Sequence, residues 1–223
     1  MTNSEENMNK KGFIFDLDGV IVDTAKYHFL AWKALAEELQ IPFTIEDNER
    51  LKGVSRLQSF EIILEIGNRT MTDEEKEFYC TKKNNLYKTY LEKLEKDEVL
   101  PGVRTFLEAA KTAGIPTALG SASKNAVFIL EKLDLMDLLD AIIDGTSVSA
   151  AKPDPEVFLK GAEALSLAPE DCIVFEDSFA GIEAAHRGCM KAIGVGSKEN
   201  LPEADAWITG FDGLMPEDIL KMC

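Results

Sequence analysis

A chain of 223 residues is long enough to bury a full core, either as one large domain or as a core carrying an insert. Its 45% hydrophobic and 29% charged residues are ordinary for a folded soluble protein, and no run approaches the ~20 apolar residues of a membrane span. With 24 Lys and Arg against 40 Asp and Glu, the net charge of −16 argues against nucleic acid and anionic membranes as partners. An anionic small substrate would need local cations or a metal.

The first eleven residues, MTNSEENMNKK, read as a polar tail without the apolar segment of a signal peptide, which makes the cytoplasm the expected compartment. The stretch GFIFDLDGVIVD at 12–23 follows. Its apolar run Phe13-Ile14-Phe15 is too short for a helix and reads as a buried strand. Asp16 and Asp18 lie two apart on extended backbone, so both carboxylates emerge on one side at the strand's end, where Gly19 permits a sharp turn. Taken alone, such a pair would also suit a solvated turn.

Residues 25–40 carry Trp32, Leu35, Ala36 and Leu39 at helical spacing, with Thr24 as a candidate cap and Pro42 beyond the stop. A second helix is expected over 55–66, from Ser55 to Gly67. A third is expected over about 73–95, opened by a capping box of Thr72 and Glu75. Residues 24–97 thus read as helical, with no convincing strand. From Pro101 the pattern alternates: helix 103–113, strand 115–120, helix 125–133, strand 141–144, helix 155–165, strand 172–175, helix 179–187, strand 192–195 and a short strand near 207–208. Alternation of this kind predicts an α/β fold, a Rossmann-like parallel sheet core at 12–23 and 98–223, into which 24–97 is inserted as a helical domain.

Three strands end in residues that carry chemistry: Asp16-Leu17-Asp18, Ser121-Ala122-Ser123-Lys124-Asn125, and Glu176-Asp177. Ligands of open parallel sheets bind outside the carboxyl ends of the strands, where strand order reverses. Singly, each has another reading: Ser121 or Glu176-Asp177 as helix caps, and Lys152 before Pro153 as a solvated loop lysine. The cysteines at 80, 172, 189 and 223 show no metal-like spacing, Cys172 opens an apolar run, and reduced thiols without a role are expected. His186, after Ala184-Ala185, reads as structural.

In this order, DLDGV, a strand-ending serine, a lysine before proline and EDS resemble the haloacid dehalogenase superfamily of phosphotransferases, over nearly the whole chain after the tail. The helical insert matches the helical cap of one subgroup. YHFLAWKALAEEL at 27–39, LKGVSR at 51–56, TKKNN at 81–85 and SASKN at 121–125 resemble its sugar-phosphate mutase branch. The resemblance implies that Asp16 is a nucleophile forming an aspartyl-phosphate, and that Asp18 is the general acid and base. It implies that Ser121 and Lys152 hold the transferring phosphoryl group, and that Mg²⁺ is held by Asp16, the carbonyl of Asp18, Asp177 and Glu176, the last either directly or at one remove. Thr24, His28, Trp32, Lys52, Gly53, Val54, Ser55, Arg56 and Lys83 would meet the sugar phosphate from the cap, and Ala122, Ser123, Lys124 and Asn125 from the core. Arg56 otherwise reads as a helix-surface arginine, His28 as a packing residue and Trp32 as core.

The implied activity interconverts β-glucose 1-phosphate and glucose 6-phosphate through a bisphosphate. A sugar-phosphate phosphatase on the same scaffold is the alternative. An idle phosphate-binding module would fit only if Asp16 or Asp18 were replaced, and neither is. The expected partner is a hexose phosphate or bisphosphate, with no nucleic acid and no membrane, and the chain is expected to be a monomer.

Overall fold

The computed structural model of the protein describes residues 11–51 and 54–222. Lys52, Gly53, Cys223 and the tail up to residue 10 lie outside the described residues. The chain divides into two compact units, Thr24–Glu95 and the segments on either side of it.

The larger unit is built on six parallel strands: β1 (Gly12–Phe15), β2 (Thr117–Gly120), β3 (Ala141–Ile143), β4 (Cys172–Glu176), β5 (Lys191–Val195) and β6 (Ala206–Ile208). Their order is β3-β2-β1-β4-β5-β6, so strand order reverses between β1 and β4. Both faces of the sheet are buried, as parallel crossovers require. Alternation on β1 turns Phe13 and Phe15 to one face, where they join Phe175, Phe106 and Phe211 with ring centroids 4.7 to 6.4 Å apart. Ile14 turns to the other face, onto Phe158, Val174, Ile182 and Ala192. Helix α5 (Val103–Thr112) covers the phenylalanine face, while α7 (Glu156–Ala164) and α8 (Phe179–Arg187) cover the other. Helices α6 (Ala126–Leu133) and α9 (Pro216–Met222) complete this unit.

Strand β2 starts at Thr117, two residues later than expected. Ile115 N–H closes the preceding helix onto Ala110 O (3.0 Å), and Pro116 has no N–H to pair, although its carbonyl accepts from Phe13 N–H (2.9 Å). His186 Nε2 and Ala192 N–H both meet Asp205 Oδ2 (3.0 and 2.8 Å), a fastening between α8 and the sheet in line with its structural reading.

The smaller unit contains α1 (Ala25–Glu38), α2 (Ile45–Glu49), α3 (Arg56–Ile66) and α4 (Asp73–Leu91) around Trp32, Leu35, Phe43, Phe60, Ile63 and Leu64. Two capping boxes, Thr44 with Asp47 and Thr72 with Glu75, start α2 and α4. Only the second is apparent from the apolar period, since α2 has five residues. Thr24 does not cap α1 with its side chain: its backbone already lies near φ −92°, ψ 0°, where the hydroxyl cannot reach the first-turn amides, and its carbonyl accepts from Tyr27 and His28 N–H instead. Helix α4 ends at Leu91, short of 95, because Lys93 and Leu94 N–H turn back on Tyr90 and Leu91 O in a tightened last turn. Lys96 belongs to the larger unit, paired with Asp134 at 2.7 Å. Among the described residues no helix is long and apolar enough to cross a membrane.

Candidate active site

The reversal of strand order puts the ends of β1 and β4 side by side, and Asp16 N–H donates to Phe175 O (3.0 Å) to hold them level. Asp16 follows β1 directly. Beyond it the chain winds around one carbonyl: Leu17 O accepts from Ile21 and Val22 N–H (2.9 and 3.1 Å), and Gly19 N–H donates to Val22 O (2.8 Å). Gly19 takes φ +79°, and a Cβ there would overlap the Asp177 carboxylate, so this turn admits only glycine. Asp18, half-buried, has its backbone placed by this turn.

Lys152 arrives from the segment between β3 and α7. Its side chain is 2% exposed, and Nζ donates to Asp16 Oδ1 and Glu176 Oε1, both at 2.7 Å, with the Phe158 ring 4.6 Å away. Glu176 is committed at both oxygens, because Oε2 accepts from Ser178 N–H (2.7 Å) and Ser178 Oγ (2.9 Å). Ser178 Oγ in turn accepts from Gly181 N–H and caps α8, so the capping alternative for Glu176-Asp177 falls to the next residue. This serine is a site-building residue that inspection of the carboxylates overlooks. The signal for it is Ser178 three residues before Gly181 at a helix start.

Asp16, Glu176 and Asp177 bring one oxygen each within 4.8 Å of one another. Asp177 accepts no hydrogen bond among the described residues. Burial, with Lys152 opposing and Glu176 and Asp18 adding repulsion, pushes Asp16 up to about 7. Burial and the charges of Glu176, Asp16 and Asp18 push Asp177 up to about 8. Burial disfavours the ammonium of Lys152, but Asp16 and Glu176 outweigh it, and the lysine stays charged. A buried set of oxygen donors with surplus negative charge fits a hard cation, and Asp16 and Asp177 are the oxygens least occupied. Glu176 reads as the anchor of Lys152 rather than as a direct ligand.

A consequence follows for the metal-free protein. Above about pH 4 the folded chain keeps protons that the unfolded chain has lost, on Asp16 up to about pH 7 and on Asp177 up to about pH 8, so stability falls as pH rises through this window. A cation held by these oxygens would take the place of those protons. Melting in excess chelator should therefore drop from about pH 5 to about pH 8, and added divalent cation should raise it most at the upper end. A gain from the cation that is equal across the range would contradict this linkage.

Ser121, buried, follows β2 on the other side of β1, and its Oγ accepts from Ser123 N–H (3.1 Å). It does not cap α6, whose first turn begins after Asn125. Ala122 and Ser123 are half-buried, Lys124 exposed and Asn125 buried. Asp16, Asp18, Lys152, Glu176 and Asp177 are thus gathered at the ends of β1 and β4, with Ser121 at the end of the adjacent strand.

The smaller unit has its own charged group. Lys83, buried between the Trp32 and Tyr87 rings at 4.7 Å from each, donates from Nζ to His28 Nδ1 (2.8 Å). Burial, then the charges of Lys83 and Arg56, hold His28 well below its ordinary pKa, so it is neutral with its proton on Nε2. Trp32 stacks on Phe60 (6.1 Å) and is spent on packing, and Thr24 is fully buried. Ser55 Oγ caps α3 by accepting from Gln58 N–H (3.2 Å), and Val54 beside it is half-buried. Arg56 opens α3. Its guanidinium has no carboxylate within ion-pair distance among the described residues, and burial lowers its pKa. A cation without a counter-ion at a helix N-terminus is placed against the helix dipole, an arrangement an anion would relieve.

Comparison with known proteins agrees with this geometry. β-Phosphoglucomutase of Bacillus subtilis is 45% identical over 197 residues, 87% of each chain. A phosphorylated-carbohydrates phosphatase of Thermotoga maritima is 33% identical over 94% of this chain and 96% of its own. The crystal structure of β-phosphoglucomutase from Clostridium difficile covers 96% of both chains at 40% identity, with a TM-score of 0.91. Residues 10–188 match the model of the haloacid dehalogenase-like hydrolases. With a six-stranded parallel sheet, a carboxylate cluster at its reversal point and a buried lysine bridging two of those carboxylates, the chain belongs to the haloacid dehalogenase-like hydrolase family.

Proposed function

We propose that this protein is a β-phosphoglucomutase that interconverts β-glucose 1-phosphate and glucose 6-phosphate by way of an aspartyl-phosphate on Asp16 and a bisphosphate intermediate. The observation that carries the reading is its near full-length likeness to β-phosphoglucomutases in sequence and in structure. Asp16 attacks phosphorus and the sugar oxygen leaves with a proton from Asp18. In the return half-reaction Asp18 takes a proton from the other sugar hydroxyl, which attacks the phosphoenzyme. Lys152 and Ser121 hold the oxygens of the group in transit, and Lys152 offsets their charge.

Asp16, Asp177 and the carbonyl of Asp18 would hold Mg²⁺, with Glu176 fastened behind. Bound there, the ion would reduce the repulsion between Asp16 and an incoming phosphate, ~4 kcal/mol per unit charge pair at 4 Å and intermediate dielectric. Arg56 would grip the second phosphate, and Lys124 and Asn125 would assist in holding the sugar phosphate. The family resemblance supports a part for His28, Lys52, Gly53, Val54 and Lys83 in recognising the sugar.

Phosphatases among the relatives make hydrolysis the second reading, in which water attacks the same phosphoenzyme. The guanidinium of Arg56, with no carboxylate partner among the described residues, favours the mutase, because a bisphosphate has a far phosphate to hold and a simple phosphatase substrate has none. The test is phosphorus NMR of β-glucose 1-phosphate with Mg²⁺ and a bisphosphate primer. Isomerised product should dominate over inorganic phosphate. Arg56→Ala should lower isomerisation about 10- to 100-fold, the worth of one charge-assisted contact, while hydrolysis of acetyl phosphate changes little. Inorganic phosphate alone from the parent protein would end the mutase reading.

A further inference from the structure

Lys152 reaches the two carboxylates from a twelve-residue connection, 144–155, that contains no regular secondary structure. A flexible side chain on such a connection can deliver its ammonium reliably only if its backbone is fixed nearby. The connection is tied down at both ends. At its start, Asp144 Oδ1 accepts from Thr146 N–H (2.9 Å), Thr146 Oγ (2.6 Å) and Ser147 Oγ (3.1 Å). At its end, Glu156 in the first turn of α7 turns back: Oε2 accepts from Ser149 N–H (2.8 Å), Ser149 Oγ (2.8 Å) and Ala150 N–H (2.9 Å). Lys160, one turn along α7, closes the arrangement by donating to Glu156 Oε1 (2.7 Å) and to Ser147 O (2.6 Å).

We propose that Glu156 and Lys160 form a clasp that positions Lys152 for phosphoryl transfer, with Glu156 the positioning residue on which the placement depends. The proposal rests on the reading of Asp16 and Lys152 given above. Glu156 fixes the chain two residues before Lys152, where among the described residues no strand of the sheet hydrogen-bonds to it. Its carboxyl is held at about 2, first by Lys160 and then by the Ala150 and Ser149 donors, so the clasp is charged throughout the working range. A single carboxylate oxygen taking three donors replaces the ladder that a strand would have supplied. Helix α7 is packed against the central strands, so the clasp refers the loop to the rigid part of the fold.

The test compares full-length parent, Glu156→Ala and Glu156→Gln. Glutamine keeps an oxygen for the Ser149 and Ala150 donors and loses the ion pair with Lys160, whereas alanine loses both. Phosphoenzyme formation from acetyl phosphate, per phosphorylatable site, should fall about 10- to 100-fold in Glu156→Ala, the scale of an ångström's misplacement. The Michaelis constant for the sugar phosphate should change little, and Glu156→Gln should recover most of the rate. A second measurement is independent of activity: acylation of lysines followed by peptide mass spectrometry. Lys152 should react at least about 10-fold faster in Glu156→Ala, relative to exposed Lys221 in the same molecule.

A lowered melting temperature with unchanged rate and unchanged Lys152 labelling would overturn the proposal, as would equal losses in the alanine and glutamine variants. If Glu156→Ala fails to fold, Ser149→Ala and Lys160→Met each remove part of the clasp and should give smaller changes in the same two readouts. No change in either would again overturn it. Absence of phosphoenzyme in the parent would instead remove the phosphotransfer reading, and the labelling would still judge the clasp.

Discussion

Replacing Asp16 by asparagine is expected to abolish phosphoenzyme formation while leaving the fold intact. The amide is isosteric with the carboxyl and its oxygen can still accept from Lys152 Nζ, now at 2.7 Å. It lacks the negative charge that makes a carboxylate oxygen nucleophilic toward phosphorus. Loss of a nucleophile is felt on a scale of about 10⁴-fold or more in turnover, the largest effect anticipated for any single change here. Stability should move the other way. Asp16 is raised by burial and by repulsion from Glu176 and Asp18, so the metal-free Asp16→Asn protein should melt at or above the parent's temperature at neutral pH. Acid-quenched mass spectrometry after incubation with a sugar bisphosphate reads the first outcome, and thermal melting in chelator reads the second. Phosphate retained on a serine or histidine of the variant would remove Asp16 from its role.

Asp18→Asn should have the next largest effect, with a different signature. The turn that carries Asp18 is held by Leu17 O, Gly19 N–H and Val22, so the backbone carbonyl offered to the metal should survive the substitution. What is lost is proton transfer, worth ~10²–10⁴-fold. The loss should therefore appear in turnover of sugar phosphates, whose leaving oxygen needs a proton. Transfer from acetyl phosphate, whose carboxylate leaves without one, should be spared. Calorimetric Mg²⁺ titration of the variant should give nearly the parent's affinity. A fall in metal affinity as large as the fall in rate would place the Asp18 side chain on the metal instead.

Short-range features of the chain were enough to identify the architecture. Phe13-Ile14-Phe15 and Cys172–Phe175 are apolar runs of strand length bounded by charge, and each is a strand because only a sheet buried on both faces can absorb such a run. Ser55 before Gln58 and Thr72 before Glu75 announce helix starts through hydrogen bonds that span three residues, which is why α3 and α4 begin where expected. Helix α2 escaped because five residues contain too little apolar period to register, although its Thr44-Asp47 box obeys the same rule. Thr24 misled because a side-chain cap depends on the backbone angle of the capping residue, and nothing local sets that angle.

The identities of the site residues were equally legible, since carboxylates two apart before a glycine, a lysine before a proline and an acidic pair after a strand are local patterns. Their relations were not. That Lys152 bridges Asp16 and Glu176 joins residues 136 and 24 positions apart. That Glu176 is already engaged by Ser178, that Arg56 faces no carboxylate among the described residues, and that Trp32 is consumed by Phe60 all depend on which neighbours the sheet and helices bring up. The raised positions of Asp16 and Asp177 arise from burial and from one another's charge, quantities that exist only once the chain is folded. Sequence determined the parts, because periodicity, caps and turns act over a few residues. Tertiary structure alone decided which charges share a space, because that space is made by packing segments far apart in the chain.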